Sequence, residues 1–529
     1  MGRAKATSNG KRFGYIPPVG KQLTTSLEEI LETRGYKKEQ LLAEKNPTLK
    51  WENLTKGIEL LKDYLLEHTR YGVLYDVDVD GTCAGYITED YLRSRGLLVK
   101  RYMNTRKLHG LNQMVLDWVE EEQLDVLFVV DAGTNDIKWH RLLSDAGVKV
   151  IILDHHEQKE KEVIPNVHLI NCSVDEGGNL PKLSGAGVCY RFFEAFDKEI
   201  RGGGIRKYEH WVGLTVLSDQ CSMLDKENRY YVETLYKSIP EVDLYKAFKF
   251  YGSRRNLFVY GVIPYLNACI RLNETEIAME SLWIHGETHV RNYVETNRKT
   301  LLEKQSNLLE DLKAAANIQK GKHVQLVFLR DDHIKYSGLT GLLGNRMMYE
   351  DDLPTIVLYK DMESNLYRGS LRGQENIMSN EILTGLGWTV KGHSLAAGIE
   401  LSIPDAPPLF AKALEYEPER IQTKLKYDVR MKDTDILMNM PILEEMARFN
   451  EYASGDIETL KVCVDVTGHP QKEVDSAKRA TYYFSGMLKI SDFEVERKND
   501  TTEWVCELSF GKKNMKRSDS DIEVTLLRV

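Results

Sequence analysis

Three aspartates at alternate positions, Asp76, Asp78 and Asp80, follow the apolar residues Val73 and Leu74 in the run Tyr75-Asp-Val-Asp-Val-Asp-Gly-Thr82. In an extended segment residues two apart share a face, so the three carboxylates are expected to converge on one point. Converging anions repel, and a hard divalent cation such as Mg2+ or Mn2+ relieves the repulsion through carboxylate oxygens. Two other readings compete. Asp-rich turns are common as solvated structures, and a calcium loop also carries spaced aspartates before a glycine. A calcium loop, however, needs a bidentate Glu at its twelfth position and a helix on each side. Counting from Asp76, that position is Ile87, and the residues before Asp76 read as a strand.

The elements that would position such a site lie close by. Val126–Val130 is an apolar run ending in Asp131-Ala-Gly133, and Val148–Leu153 is another ending in Asp154-His155-His156. Both read as buried parallel strands with polar residues at their carboxyl ends. In an open doubly wound sheet ligands bind at that edge, so separate strands deliver acids and imidazoles to one crevice. Trp211–Leu217 precedes Ser218-Asp219, and its periodicity fits a helix and a strand equally. Five or more Asp with two adjacent His suffice for two metal ions sharing a carboxylate, about 3.5–4 Å apart in such sites. Such a pair activates a water and steadies the leaving oxygen of a phosphate ester. An isolated His pair is more often a turn with one ring satisfied by backbone; beside Asp154 at a strand end, ligation is the stronger reading.

These motifs resemble, in order, those of the DHH phosphoesterase superfamily, most closely its RecJ-type single-strand-specific exonucleases. Asp76-Val-Asp-Val-Asp-Gly81 is similar to the first motif, Asp131 to the second, Asp154-His155-His156 to the third and Asp219 to the fourth. Met223-Leu-Asp-Lys-Glu-Asn-Arg229 resembles the family's Pro-Leu-x-x-Glu-Asn-Arg segment, with Ser222 where proline is usual, and Ser184-Gly-Ala-Gly-Val188 resembles its helix start. Lys391-Gly-His-Ser-Leu-Ala-Ala-Gly398 is similar to the signature of the accessory DHHA1 domain, with Lys391 replacing the first glycine. Gly338–Arg346 and Gly369-Ser-Leu-Arg372 resemble that domain's other stretches.

The resemblance implies an α/β fold: a Rossmann-like parallel-sheet DHH domain, a smaller α/β DHHA1 domain joined to it by a long helix, and a C-terminal β-rich, OB-like domain. The expected boundaries are 1–69 for a tail and helical lead-in, 70–285 for the DHH domain, 286–318 for the connecting helix, 319–420 for DHHA1 and 421–529 for the β-rich domain. It implies a 5′-to-3′ exonuclease that releases 5′-mononucleotides from single-stranded DNA using two divalent ions, Mn2+ or Mg2+. Asp76, Asp78, Asp131, His155 and Asp219 are the implied metal ligands, with Asp80 a further ligand or an acid behind them, and Asp154 completes the catalytic set. His156 is expected to face the scissile phosphate. Arg106 matches an arginine for the terminal 5′-phosphate, although Leu108 and His109 replace the Gly and Tyr that usually follow. Arg346, Ser370, Arg372, Gly392 and His393 are expected to hold substrate, through donors to phosphate oxygens and glycine turns that admit an anion. On the residues alone the plainer alternative is that Gly392 and Gly398 serve turns and Arg346 a helix surface.

Composition sets bounds. A chain of 529 residues exceeds one core, and 42% hydrophobic content permits several. The seven cysteines form no Cys-x-x-Cys pair, which argues against a disulfide framework and a zinc ribbon; Cys83 reads as packing. No apolar run reaches about 18 residues and the N-terminus shows no apolar signal region, so a cytoplasmic protein without membrane attachment is expected. The net charge of -9 argues against strong sequence-independent binding to duplex DNA, while leaving room for a locally basic groove. Single-stranded DNA is the expected partner, single-strand-binding protein or a helicase are further candidates, and a monomer is expected. Departures from the usual motifs suggest a divergent, virus-encoded lineage.

Residues 1 to 15 read as a basic tail, followed by helical patterning through Leu27, Ile30, Leu31, Leu41 and Leu42. Val290 to Ala316 reads as a long helix, either bridging two domains or packed on a surface. β-rich runs beyond residue 425 suggest a small barrel, where Lys478-Arg479 and Tyr482-Tyr-Phe484 offer charge and base stacking, although strand aromatics are usually core. Two rivals stand beside the exonuclease: a DHH enzyme for short oligoribonucleotides or cyclic dinucleotides, and a noncatalytic RecJ-like replication scaffold.

Overall fold

The computed structural model describes residues 26–37, 41–46, 51–67, 70–104, 108–174, 180–249, 253–362, 364–374, 377–392, 394–418, 427–432, 435, 437–453 and 457–465, with the backbone of the C-terminal strands named below. Arg106, His393, the basic tail, Lys478 and Arg479 lie outside the described residues, and for Tyr482, Tyr483 and Phe484 only the backbone is described. The chain divides into two compact units, residues 1–267, 278–292 and 425–529 in one and 268–277 with 293–424 in the other. No described helix is long and apolar enough to cross a membrane.

In the first unit, helix α1 (Leu27–Thr33) opens on a capping box in which Ser26 and Glu29 satisfy each other's backbone N–H. The helical patterning expected through Leu41 and Leu42 is interrupted after α1, where residues 34–37 leave the helix, and Leu42 is exposed. After α2 (Glu52–Glu67), strands and helices alternate: β1 (Arg70–Tyr75), α3 (Val79–Ser94), β2 (Leu98–Met103), α4 (Gln113–Glu121), β3 (Val126–Val130), α5 (Ile137–Asp145), β4 (Lys149–Asp154) and β5 (Val167–Asn171). The strands form one wholly parallel sheet of order β2-β1-β3-β4-β5. Every residue of β3 is buried, which is why its sequence reads as an unbroken apolar run. The order reverses between β1 and β3, so the carboxyl ends of these two strands flank the crevice where such sheets bind ligands. Register sharpens this: Leu74 lies beside Val129 and Val130 beside Leu153, bringing the residues after β1 and β3 level with the end of β4.

The expectation that Asp76, Asp78 and Asp80 share one face of an extended strand is corrected by the structure. The strand ends at Tyr75; Asp78 is the N-cap of α3, its Oδ1 accepting the Gly81 N–H at 2.8 Å, and Asp80 lies in the first helical turn. An aspartate that accepts a nearby backbone N–H favours a helix start over continued strand. The turn, and not the pleat, gathers the three carboxylates. Trp211–Leu217, ambiguous in sequence, belongs to helix α7 (Glu209–Ser218), which lies between α6 (Gly185–Glu199) and α8 (Lys226–Ser238) in the chain. Because Trp211, Val212, Leu214, Val216 and Leu217 are all buried, α7 is apolar around its circumference and carries no helical periodicity to read.

This unit also contains, in the region expected to be β-rich, a seven-stranded mixed sheet: Val429–Lys432, Lys461–Asp465, Glu503–Gly511, Asp521–Leu526, Leu488–Asp492, Thr481–Ser485 and Gln471–Val474, in that spatial order. In the second unit, the helix Glu287–Ala315, which begins in the first unit, leads to a six-stranded sheet. Leu309 and Leu312 of that helix pack with Val327, Leu343, Met347 and Val357.

The fit of α3 on β1 fixes the site's foundation. A Cβ at Gly85 would lie 2.1 Å from the Tyr75 ring, and Tyr75 is held in turn by a hydrogen bond to buried Glu89. Gly85→Ala is expected to destabilise the protein by about 1–3 kcal/mol through overpacking against a ring that cannot retreat. The urea midpoint relative to wild type measures it.

Candidate metal centre

At the carboxyl edge of the parallel sheet, Asp76 leaves β1, Asp131 leaves β3, and Asp154 ends β4 with His155 and His156 behind it; Asp219 is the C-cap of α7. The structure brings these together. Ligand atoms of Asp76, Asp78 and Asp131 lie within 4.8 Å of one another, as do those of Asp80, His155 and Asp219, and those of Asp131, Asp154, His155 and His156. His155 Nε2 sits centrally, 3.2 Å from Asp131 Oδ1 and 3.8 Å from both Asp80 Oδ2 and Asp219 Oδ2.

Two devices hold this concentration of charge. The N-terminus of α6 meets Asp80, whose carboxylate accepts the Gly185 N–H at 2.6 Å and the Ala186 N–H at 2.9 Å. Free N–H groups and the helix dipole both favour an anion there. Gly185 is required for the approach, since a Cβ would lie 2.3 Å from Asp131 Oδ1. Asp131 itself adopts a left-handed backbone, φ 57°, a conformation that costs a non-glycine residue about 1 kcal/mol or more and clusters at functional sites.

The carboxylates differ in what satisfies them. Asp154 Oδ1 accepts from the backbone N–H of His155 and His156 and from His156 Nδ1 at 2.7 Å; its Oδ2 accepts from the backbone and hydroxyl of Thr134. Burial alone would raise its pKa, but the His156 hydrogen bond and charge hold Asp154 well below the usual carboxylate range. The same bond lifts His156 to about 9. Asp154 therefore positions His156. Around it the opposite holds. Burial, then the charges of Asp76 and Asp80, pushes Asp78 to about 7; burial, then Asp80, pushes Asp219 to about 6; and burial followed by Asp80, Asp78 and Asp76 drives Asp131 well upward.

Asp131 Oδ1 is buried without a hydrogen-bond partner. An unpaired buried acceptor costs about 1–3 kcal/mol, and a cation is what an all-oxygen set with one imidazole would satisfy it with. The donor set fits hard divalent ions: carboxylate oxygens dominate and no thiolate is required.

His109 was noted in sequence only as a departure from the family pattern. Its Nδ1 lies 2.8 Å from Asp76 Oδ1 and its ring 5.4 Å from that of His156. Its place beside Gly110 in a short polar loop was the only available signal.

Of the residues expected to hold substrate, Ser370 and Arg372 come together in the second unit. Ser370 Oγ lies 2.9 Å from Thr340 Oγ1, and Arg372 packs against Gly341, where a Cβ would meet its Nη2 at 2.3 Å. Burial lowers the Arg372 pKa, as expected of a guanidinium without a carboxylate partner among the described residues. Arg346 does not join them: its guanidinium is taken by Glu350 and Glu310, matching the surface-helix alternative. Gly392 has φ 130° and ends a strand that pairs antiparallel with the strand beginning at Ala396.

Residues 71–212 match the DHH family, N-terminal domain, a span that contains every site residue from Asp76 to His156. These residues form a DHH-family domain. Beyond the DHH domain the likeness extends further along the chain. It is 23% identical over 414 residues to YorK of the SPbeta prophage in Bacillus subtilis (strain 168), named as a single-strand DNA-specific exonuclease, covering 71% of each chain. It is 24% identical over 427 residues to the single-stranded-DNA-specific exonuclease RecJ of Escherichia coli (strain K12), covering 72% of each. In structure it matches RecJ of Thermus thermophilus solved with Mn2+, with a TM-score of 0.67 at 18% identity over 94% of this chain and 74% of that one. The fold around the DHH domain is thus that of RecJ.

Protons compete with metal here. Since Asp78 titrates near 7 and Asp219 near 6 in the metal-free protein, each holds a proton below that pH and must release it to bind a cation. Mn2+ affinity is expected to weaken as pH falls from about 8 through about 5, a range set by roughly one unit either side of these values, with proton release seen by calorimetry in buffers of differing ionisation enthalpy. A second expectation concerns Asp131→Asn. Removing a buried charge should leave the melting temperature in chelator equal to or above wild type, while abolishing the stabilisation that Mn2+ confers.

Proposed function

We propose that this chain is a divalent-metal-dependent exonuclease that degrades single-stranded DNA from the 5′ end to 5′-mononucleotides. The observation that carries the reading is the buried Asp131 Oδ1, which accepts no hydrogen bond and has His155 Nε2 3.2 Å away, within a carboxylate and imidazole cluster on the DHH sheet edge. Asp76, Asp78 and Asp131 would hold one Mn2+ or Mg2+, and Asp80, His155 and Asp219 a second, with Asp131 close enough to His155 to serve both groups. The bound ions supply Lewis acidity at the phosphate and an activated water as nucleophile.

The chain's own residues do the rest. Asp154 fixes the His156 ring through Nδ1, leaving Nε2 as the free nitrogen of a side chain that is 45% exposed. Below about 9 that ring is an imidazolium, so Nε2–H donates to a phosphate oxygen and offsets the charge that accumulates there during in-line attack. Asn171 reinforces the arrangement by donating to the His156 carbonyl and to Thr134 Oγ1, each at 2.8 Å. Ser370 and Arg372 offer an anion contact suited to a backbone phosphate of the strand. Single-stranded DNA as substrate rests on the similarity to YorK and RecJ, and the 5′-to-3′ direction on the resemblance to RecJ-type enzymes. The acidic net charge agrees with weak binding to duplex DNA.

The test is incubation with Mn2+ and long single-stranded DNA labelled at either end, beside a duplex and a labelled dinucleotide. Mononucleotides appearing from the 5′ label first, lost with chelator and reduced at least about 1,000-fold in Asp131→Ala, are the expected result. Cleavage of the dinucleotide alone would reassign the enzyme to small nucleotides, and no metal-dependent cleavage at all would overturn the proposal.

A further inference from the structure

Past the end of β4 the chain that carries His155 and His156 is held by side chains. β3 and β4 pair as far as Val130 beside Leu153, and the Asp131 N–H adds a backbone bond to the Leu153 carbonyl at 2.8 Å. Beyond it, three successive carbonyls accept from residues that follow the two neighbouring strands or end one of them. That of His155 accepts from Ser173 Oγ at 2.6 Å, that of His156 from Asn171 Nδ2 at 2.8 Å, and that of Glu157 from Asn135 Nδ2 at 2.9 Å. Asn135 makes a second bond across the same gap, its Oδ1 accepting the Lys159 N–H at 2.8 Å.

The partners of Asn135 lie one residue either side of Gln158. A residue in a parallel ladder donates to the carbonyl before its partner and accepts from the N–H after it, so the Asn135 amide takes the place of a further rung between the β3 and β4 ends. The Glu157 carbonyl requires a donor and the Lys159 N–H an acceptor, which fixes the orientation of the amide. The clamp joins the segment that begins at Asp131 to the one that carries His155 and His156. Thr134, next to it, is buried and binds Asp154 through both its N–H and its hydroxyl, whereas Asn135 is exposed. Water satisfies an exposed amide nearly as well as the loop does, so these two bonds add little to stability and act on geometry.

Resting on the exonuclease reading, we infer that Asn135 is a positioning residue for the reaction, holding the Asp154–Lys159 loop against the segment after β3 so that His156 meets the phosphate from a fixed place. Asp154 sets the rotation of the His156 ring; Asn135 sets the path of the loop from which the ring projects. The amide touches neither metal nor phosphate in this role. Order established before substrate arrives is expressed in turnover more than in binding, and a displacement of about 1 Å at a reacting group can cost about 100-fold in rate.

The experiment compares wild type with Asn135→Ala, which removes both bonds, and Asn135→Leu, which removes them with little change of volume. In chelator, amide hydrogen exchange across residues 155–160 is followed by mass spectrometry beside thermal melting. With saturating Mn2+, kcat and KM are measured on long single-stranded DNA, in the wild-type background and with His156→Ala. Exchange in the segment is expected to be at least about 10-fold faster in both variants, at an unchanged melting temperature. The expected kcat is lower by about 10-fold with KM within about 2-fold of wild type, and with no further fall where His156 is already alanine. Exchange equal to wild type, or kcat within about 2-fold of it, overturns the inference. So does an equal fall in the His156→Ala background, which would mean that Asn135 does not act through that ring. If one variant melts early the other decides by the same criteria, and early melting of both overturns the inference by making Asn135 a residue of the fold. Absence of any Mn2+-dependent cleavage by wild type is a different failure: it removes the exonuclease reading, while the exchange rates still decide whether Asn135 holds the loop.

Discussion

The mutual repulsion of buried carboxylates governs this structure. Asp76, Asp80 and Asp131 are almost wholly buried, Asp78 stands beside them, and Asp219 completes the group. Such a set is unfavourable in a metal-free protein, because like charges in a low-dielectric pocket cannot all ionise together. The parallel sheet brings the strand ends into register, α3 begins where Asp78 can cap it, and α6 turns its N-terminus towards Asp80. Each element delivers a charge or moderates one, and the remaining imbalance is what a divalent cation removes.

Residues of one chemical type take different roles according to their surroundings. Asp131 and Asp154 end adjacent strands and are equally buried, yet their proton affinities move in opposite directions. Asp154 is encircled by N–H and O–H donors and a histidine; Asp131 faces other carboxylates and a helix N-terminus approaching too closely to admit a side chain at Gly185. Donors stabilise the first as an anion that aims a ring, and their absence leaves the second with an oxygen available to metal. The logic of acid and base assignment, in which environment separates like groups, is met here in a site for cations.

At 18% identity the chain retains the RecJ fold over nearly its whole length. Low identity with a retained fold is what burial predicts, since apolar strands such as Val126–Val130 tolerate exchange among residues of similar volume. The segment Thr105–Asn112 is one of the places where this chain departs from the resemblance, and its His109 lies against the very carboxylate that opens the first motif.

Periodicity made β3, β4 and the long helix near Glu287–Ala315 legible, because buried strands and long helices announce themselves over short windows. The aspartates and histidines at the strand ends were legible too, since only a few topologies place such residues after apolar runs. Helix α7 was not, because burial on all sides erases the alternation from which a helix is inferred. Nor was the route by which Asp78 and Asp80 join Asp76: the sequence pattern suits a strand face, and the choice of a helix start depends on Asp78 finding the Gly81 N–H. Arg346 shows the same limit, since its guanidinium belongs to Glu310 and Glu350, one of them distant in sequence. The sequence by itself determined which groups could bind metal and on which strand ends they stand. Tertiary structure alone decided which of them are left unsatisfied, that His109 stands among them, and which carboxylate is an anchor, because those properties depend on donors from residues far apart in the chain.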